Sequence, residues 1–486
     1  MPNQDKVASV HPNAAAWANA KQNTQVVSGG EPIQRVLVAN RGEIAVRILR
    51  TLKHLGLESV LAVSKADRNS LGARMADRSV CIGPARATDS YLQIGTLVQA
   101  ALGTRAHAIH PGYGFLSERA EFAQACEDNQ IIFIGPTAQQ IHRVGDKLEA
   151  RRIAQAAQVP VTPGGPVQGL DEALAMAERI GFPVLIKAVG GGGGRGLKRA
   201  DTPQQLAGLF ELAGAEALAA FGDGRVYIEC FVRQGRHVEV QVLGDGTRVI
   251  HLGDRDCSVQ RRYQKLIEEA PAPGLPDKLR ADLRQAAVRF AESIAYRGAG
   301  TVEFLVDVIR GEFYFLEMNA RIQVEHPVTE LVTGIDLVEQ QLNIAQGRRL
   351  AFTQDDIRIQ GHAIECRINA EDPDRDFAPS PGRVLEAYFP AGQGVRVDTH
   401  IEAGATISPF YDSMMGKVMA VGANRDQART RLLQALAQTR LTGITTNIAL
   451  HQTVLETPEF VRGEVDTGFL GRYLAKEFDA GVQENP

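Results

Sequence analysis

Cysteine is scarce. The 486 residues hold five, Cys81, Cys126, Cys230, Cys257 and Cys366, an odd and widely spaced set with no CxxC pair. That excludes a disulfide framework and makes a reducing cytoplasm the expected location. Long apolar runs are missing too: no stretch approaches the ~20 residues a membrane span requires. Neither charge sign dominates, with 53 basic against 57 acidic side chains and a net charge of −4. Without blocks of one sign, nothing points to nucleic acid or an anionic membrane. No His/Cys spacing matches a zinc site, no Gly-Lys-Ser/Thr completes a P-loop and no Gly-x-Ser-x-Gly elbow occurs. Residues 1–31 lack both a continuous apolar segment and the Arg-rich character of a transit peptide, so they read as a polar, mobile extension.

What is present is ordinary globular composition, 44% apolar and 23% charged, in a chain long enough for two to four subdomains. Residues 35–39 (RVLVA) read as a buried strand. Apolar positions 44, 48, 52 and 55 then mark a helix, and 58–63 (ESVLAV) reads as a second strand. The same alternation recurs around 105–135, which implies a parallel sheet with helices on its faces. The middle turns β-rich, with RVYIECFV, HVEVQVLG, RVIHLG, TVEFLV and EFYFLEMN. From about 352 a third, α+β region follows, with strands near 361–369, 383–389 and 416–421 and a helix near 426–439.

The glycine run Gly190, Gly191, Gly192, Gly193, Gly194 follows an apolar strand bearing Lys187 and precedes Arg195 and Lys198. Such a run is commonly a linker. Backbone N–H groups flanked by cations can also close over phosphates, which makes it a candidate lid. In EMNARIQVE, an extended chain would put Glu317, Asn319, Arg321, Gln323 and Glu325 on one face. A solvated amphipathic strand is the plain alternative. With a loop at Ile309-Arg310-Gly311, Glu303 would fall opposite Glu317. Like charges so opposed invite a hard cation such as Mg²⁺. The basic cluster Gln260–Lys265 reads by default as a solvated patch, and Glu365 with Arg367 as a structural ion pair.

Seven segments taken together carry a resemblance: ANRGEIAVRILR (39–50), HPGYGFLSE (110–118), GGGGGRG (190–196), RDCSVQRRYQK (255–265), EEAPAPG (268–274), EMNARIQVEHPVTE (317–330) and ECRINAEDP (365–373). In order and spacing, over roughly residues 33–475, the sequence resembles the biotin carboxylases of the ATP-grasp class. The resemblance implies a mixed α/β and α+β architecture. A Rossmann-like N-terminal domain would span 32–146 and an ATP-grasp domain 147–352, with a glycine-hinged lid at about 160–233. A C-terminal domain at 353–476 and a tail at 477–486 would complete it.

It further implies ATP with Mg²⁺ or Mn²⁺. Lys147 and Lys187 would meet the phosphates, Glu229, Cys230, Phe231 and Val232 would border the adenine, and His237, Gln260 and Tyr263 would lie near the nucleotide. Glu303, Glu317 and Asn319 would hold the metal. Lys265, Arg321, Gln323 and the Val324 backbone would surround bicarbonate, with Glu325 as its base. Arg367 would steady the biotin ureido oxygen, with Tyr113 nearby. Biotin would arrive on a biotin carboxyl carrier protein, with carboxyltransferase subunits as further partners and a homodimer as the assembly.

Two departures stand out: Tyr263 occupies a histidine position, and Gln393 a position that is often aromatic at the dimer contact. Another ATP-grasp carboxylate–amine ligase would share the lid and metal residues but has no use for ECRINAEDP. A nucleotide-gated scaffold without catalysis would be expected to lack part of the acid/base set, which is complete here. The final carboxyl acceptor is not written in these residues.

Overall fold

A computed structural model describes residues 32–190 and 196–482. The N-terminal strand Arg35–Val38 lies at the centre of a five-stranded parallel sheet, between Glu58–Val63 and Ala108–His110, with Arg78–Cys81 and Ile132–Phe133 at the edges. The helix Gly42–His54 buries Ile44, Ile48 and Leu52 as their spacing predicts, while Leu55 becomes its C-cap. It buries Glu43, Arg47 and Thr51 as well. The reason is that it is sandwiched: one face meets the parallel sheet, and the other meets the strand Val395–Thr399 from the far end of the chain.

The β-rich middle and the C-terminal region build one eight-stranded antiparallel sheet. Its order is Glu312–Asn319, Arg297–Asp307, Gly235–Asp245, Val249–Arg261, Gln264–Ala270, His362–Asn369, Met414–Gly422 and Val395–Thr399. The change of character near residue 352 therefore marks a turn in the chain but no break in the sheet. The junction pairs Gln264–Ala270 with His362–Asn369, and the site lies on these central strands.

A smaller four-stranded sheet, Gly164–Pro166, Val226–Cys230, Val184–Ala188 and Leu197–Ala200 in that order, carries the helices Leu170–Ile180 and Pro203–Phe221. It packs its own apolar cluster around Ala173, Val184, Ile186, Leu206 and Ile228. The glycine run joins its antiparallel strands Val184–Ala188 and Leu197–Ala200. Gly190 is described; Gly191, Gly192, Gly193, Gly194 and Arg195 lie outside the described residues.

Candidate active site

The predicted register holds: Glu303 stands directly across from Glu317, and Gly311 takes a φ of +65° in the turn that joins their strands. The expectation that one extended strand carries 317–325 does not hold. The strand ends at Asn319, the chain leaves the sheet, and Glu325 caps the helix His326–Thr333. Convergence survives because side-chain bonds replace the strand's alternation. Arg321 Nη2 donates to Asn319 Oδ1 at 3.0 Å and Nη1 to Gln323 Oε1 at 2.8 Å. The Asn319 and Gln323 amide nitrogens both donate to Glu303 Oε1, at 2.8 and 3.2 Å.

Lys265 is the hub. Its ammonium donates to Glu239 Oε2 at 2.5 Å, Glu303 Oε1 at 2.9 Å and Glu325 Oε1 at 2.7 Å. Three carboxylates outweigh the burial that would lower its pKa, and hold it well above the usual lysine value. Arg367 closes the other side, donating through Nε to Glu268 Oε1 at 2.5 Å and through Nη2 to Glu325 Oε2 at 2.8 Å. Burial would raise the Glu325 carboxyl, but Lys265, then Arg367 and Arg255, hold it well below the carboxylate range. As it stands Glu325 is a weak base.

The Glu303 carboxyl is pulled below the carboxylate range by Lys265 and His237 against the effect of burial. Glu317 is pushed up, by burial first and by Glu303 second, with Lys147 opposing. A divalent cation between them would relieve that repulsion, so the pair fits Mg²⁺ or Mn²⁺. Asn319 fits less directly, because its oxygen faces Arg321 and its nitrogen faces Glu303; ligation would need the amide turned over. His237 Nε2 lies 2.9 Å from Glu303 Oε2. With Glu239 these two residues also bring potential ligand atoms within 4.8 Å of one another.

Lys187 pairs with Glu229 at 2.6 Å, and Glu229 also meets Arg151 at 2.7 Å, so this carboxylate is spent within the protein. The backbone N–H groups of Cys230 and Phe231 donate to Pro163 and Pro183, at 2.9 and 3.1 Å, and Val232 follows the strand's end. Lys147 begins the helix Lys147–Ala156, where burial lowers its pKa and Glu317 raises it. Gln260 is buried in register with Lys265, while Tyr263 is 55% exposed at the hairpin tip. The basic cluster is thus no solvated patch at its Lys265 end. Glu365 and Arg367 likewise do not pair: Arg367 turns to Glu268 and Glu325, and both Glu365 oxygens have no hydrogen-bond partner among the described residues.

Several participants escaped sequence reasoning. Glu118 accepts from Arg321 Nε at 2.9 Å and from the Ala320 N–H at 3.1 Å. Glu239 holds both Lys265 and the fully buried Arg255. Lys417, fully buried, donates to the Val324 carbonyl at 2.6 Å and lies 3.1 Å from Glu43, which also accepts from the Tyr113 hydroxyl. Glu239 had a signal, the two-residue alternation with His237. Glu118 and Glu268 sat at the ends of quoted motifs without being singled out.

Three family profiles match in succession: "Biotin carboxylase, N-terminal domain" over 32–141, "Carbamoyl-phosphate synthase L chain, ATP binding domain" over 146–353 and "Biotin carboxylase C-terminal domain" over 365–472. The chain belongs to the biotin carboxylase family. A biotin carboxylase of Nostoc sp. is 52% identical over 439 residues, 90% of this chain and 98% of its own length. That of Pseudomonas aeruginosa is 51% identical over 449 residues, 92% and 99% of the two chains. Among solved structures, the Campylobacter jejuni biotin carboxylase–ATP complex aligns with a TM-score of 0.88 at 45% identity, covering 90% of this chain and 99% of that one. The biotin carboxylase domain dimer of Hydrogenobacter thermophilus 2-oxoglutarate carboxylase, with MgADP and bicarbonate, gives 0.87 at 43%, covering 91% and 98%. The chain is accordingly an ATP-dependent ligase of the ATP-grasp fold. Among the described residues no helix is long and apolar enough to cross a membrane.

Proposed function

We propose that this chain carboxylates biotin carried on a separate biotin carboxyl carrier protein, as the first half-reaction of an acyl-CoA carboxylase with acetyl-CoA as acceptor. One observation carries the chemistry: Glu325 is held between Lys265 and Arg367, and Lys265 in turn bonds Glu303 of the opposed Glu303–Glu317 pair. A base, two cations and a metal-binding pair therefore share one cluster. Bicarbonate entering between Lys265 and Arg321, beside the Val324 backbone, would compete for the cations that now quench Glu325. The freed carboxylate would take the bicarbonate proton, and the deprotonated oxygen would attack the γ-phosphoryl group of ATP. A cation held by Glu303 and Glu317 would supply charge to that transfer. Lys147, Lys187 and the glycine run would meet the phosphates, with His237, Gln260 and Tyr263 on the nucleotide side and Glu229 to Val232 at the base. Carboxyphosphate then yields CO₂ and phosphate, and phosphate takes the biotin N1′ proton. Arg367 would stabilise the resulting ureido anion as an oxyanion site does.

Relatives named biotin carboxylase, 52% and 51% identical, support the biotin-carboxylating half-reaction. The dimeric neighbour supports a homodimer. The deciding assay is bicarbonate-dependent ADP release with and without free biotin, where biotin should stimulate. Stimulation by an amine and none by biotin would point to another ATP-grasp ligase. Reconstitution with carrier and carboxyltransferase then compares acetyl-CoA with 2-oxoglutarate, the acid named for the Hydrogenobacter relative. Carboxylation of 2-oxoglutarate alone would overturn the acyl-CoA assignment.

A further inference from the structure

Two carboxyl groups outside this chemistry face each other behind Arg367. The pairing of Gln264–Ala270 with His362–Asn369 sets Glu268 directly opposite Glu365, and both are fully buried. Side chains so opposed share one face of the sheet, with β-carbons about 5 Å apart. Glu268 Oε1 accepts from Arg367, but among the described residues Glu268 Oε2 and both oxygens of Glu365 have no hydrogen-bond partner. Bare buried carboxylates side by side do not persist; one of them takes a proton. A proton on Glu365, pointed at Glu268 Oε2, leaves a single oxygen unsatisfied in place of three.

The surroundings decide which acid keeps it. Arg367 bonds Glu268 directly and favours its ionised form. The nearest other cations are engaged elsewhere: Lys417, on the neighbouring strand, serves the Val324 carbonyl and Glu43. Lys265 serves Glu239, Glu303 and Glu325. The helices packed on the same strand bring His326, bonded to the Gln323 carbonyl, Glu330, paired with Arg47 and Arg396, and Arg425, paired with Glu269. Burial pushes Glu365 well above the carboxylate range; Lys417 opposes, and Glu268 adds to the rise. Glu268 is raised to about 7 by burial against Arg367.

We propose that Glu365 is a positioning residue: as a neutral acid it donates a hydrogen bond to Glu268 and so fixes the carboxylate that anchors Arg367. This rests on the role given to Arg367 above. The guanidinium has one tether on Nε, to Glu268, and another on Nη2, to Glu325. To reach a ureido oxygen it must release Glu325 and turn about the Glu268 tether. One negative charge behind it holds the pivot. Two would cancel the positive charge that the biotin anion needs, and none would leave the guanidinium loose.

Infrared difference spectroscopy of the parent against Glu365→Gln at neutral pH reads the proton without any turnover. The expected difference is loss of a carboxylic-acid carbonyl band; loss of carboxylate bands instead would overturn the proposal. In kinetics, Glu365→Gln keeps a donor to Glu268 and should stay within about 3-fold of the parent in biotin-dependent kcat/KM. Glu365→Leu, which removes the donor, should fall about 10- to 100-fold at unchanged KM for ATP, the loss expected for a bond to a charged group. At alkaline pH the parent should lose biotin-dependent rate as Glu365 ionises, and Glu365→Gln should not. Equal losses in the Gln and Leu variants, or identical alkaline limbs, would also refute it. A parent without biotin-stimulated ADP release would overturn the proposed function, while the infrared difference would still locate the proton.

Discussion

Lys417 Nζ donates to the carbonyl of Val324 at 2.6 Å and lies 3.1 Å from Glu43. One buried ammonium thereby joins the N-terminal helix, the last large strand and the turn that presents Glu325.

Lys417 is also the lysine of Met-Met-Gly-Lys at 414–417, the segment closest to a biotinylation sequence. With its ammonium fully buried and bonded, it offers no nucleophile to a modifying enzyme. A streptavidin blot of the intact purified chain should be blank. Lys417→Met should cost roughly 3–5 kcal/mol in urea unfolding, because it leaves Glu43 as a buried charge without its partner.

Glu325→Gln should lower biotin-dependent turnover about 10²- to 10⁴-fold while the protein stays folded, the range typical for a positioned acid/base group. Arg367 is a different case. Removing it takes from the fully buried Glu268 its ion-pair partner and leaves Glu325 to Lys265, so Arg367→Ala should lose stability together with turnover. Thermal unfolding measured beside the assay separates the two effects. A folded Glu325→Gln variant at near-parent activity would refute the base assignment.

The junction strand supplies a pH test. Glu269 accepts from Arg425 at 2.6 and 3.0 Å, and its Oε2 meets His362 Nε2 at 2.6 Å. Burial would raise its pKa, but His362 and Arg425 bring it down to about 2, from 4.5. A depressed carboxyl stabilises the fold fully above its unfolded pKa and loses that contribution as pH falls through the folded one. Glu269 should therefore contribute about 3 kcal/mol near neutrality, fading between pH 4.5 and about 2. Urea midpoints of the parent and Glu269→Gln should converge as pH falls through this window. A gap independent of pH would rule out the linkage.

Periodicity made the local elements legible, and a motif series made the family legible. The Glu303–Glu317 register followed from one glycine and a two-residue alternation. What stayed hidden was contact between distant segments. Glu43 and Arg47 lie off the apolar 44/48/52 stripe yet are buried, because the helix's second face meets Val395–Thr399, some 350 residues away. Lys417 meets the Val324 carbonyl, a backbone atom that carries no sequence signal. The 365/367 alternation suggested a local ion pair, yet the partners of Arg367 are Glu268, on the strand Gln264–Ala270, and Glu325. Burial of both faces erases a periodic pattern, and cross-sheet pairing depends on topology that local spacing does not encode.

The last prediction concerns the residue that departs from the family pattern. Arg261 pairs with Gln264, which leaves Arg262 and Tyr263 as a two-residue hairpin turn at φ +47° and +67°. Such turns favour glycine or asparagine, because a β-carbon in the left-handed region costs roughly 1–2 kcal/mol. Arg262 pairs with Asp376 at 3.1 Å, and Arg261 stacks on Phe377 with its guanidinium carbon 4.2 Å from the ring centre, which pins the tip despite that strain. Tyr263→Gly should therefore stabilise the fold by about 1 kcal/mol. Its effect on ATP depends on whether the exposed ring meets the nucleotide. If it does, Tyr263→Phe should raise the KM for ATP by about 5-fold, the loss of one hydrogen bond of ~1 kcal/mol. Tyr263→His should keep or tighten ATP use and add a pH dependence near neutrality, since imidazole titrates near pH 6.5 and a phenol near pH 10. KM values for ATP that match the parent in both variants, over about pH 6 to 8, would make Tyr263 a turn residue with no part in holding the nucleotide.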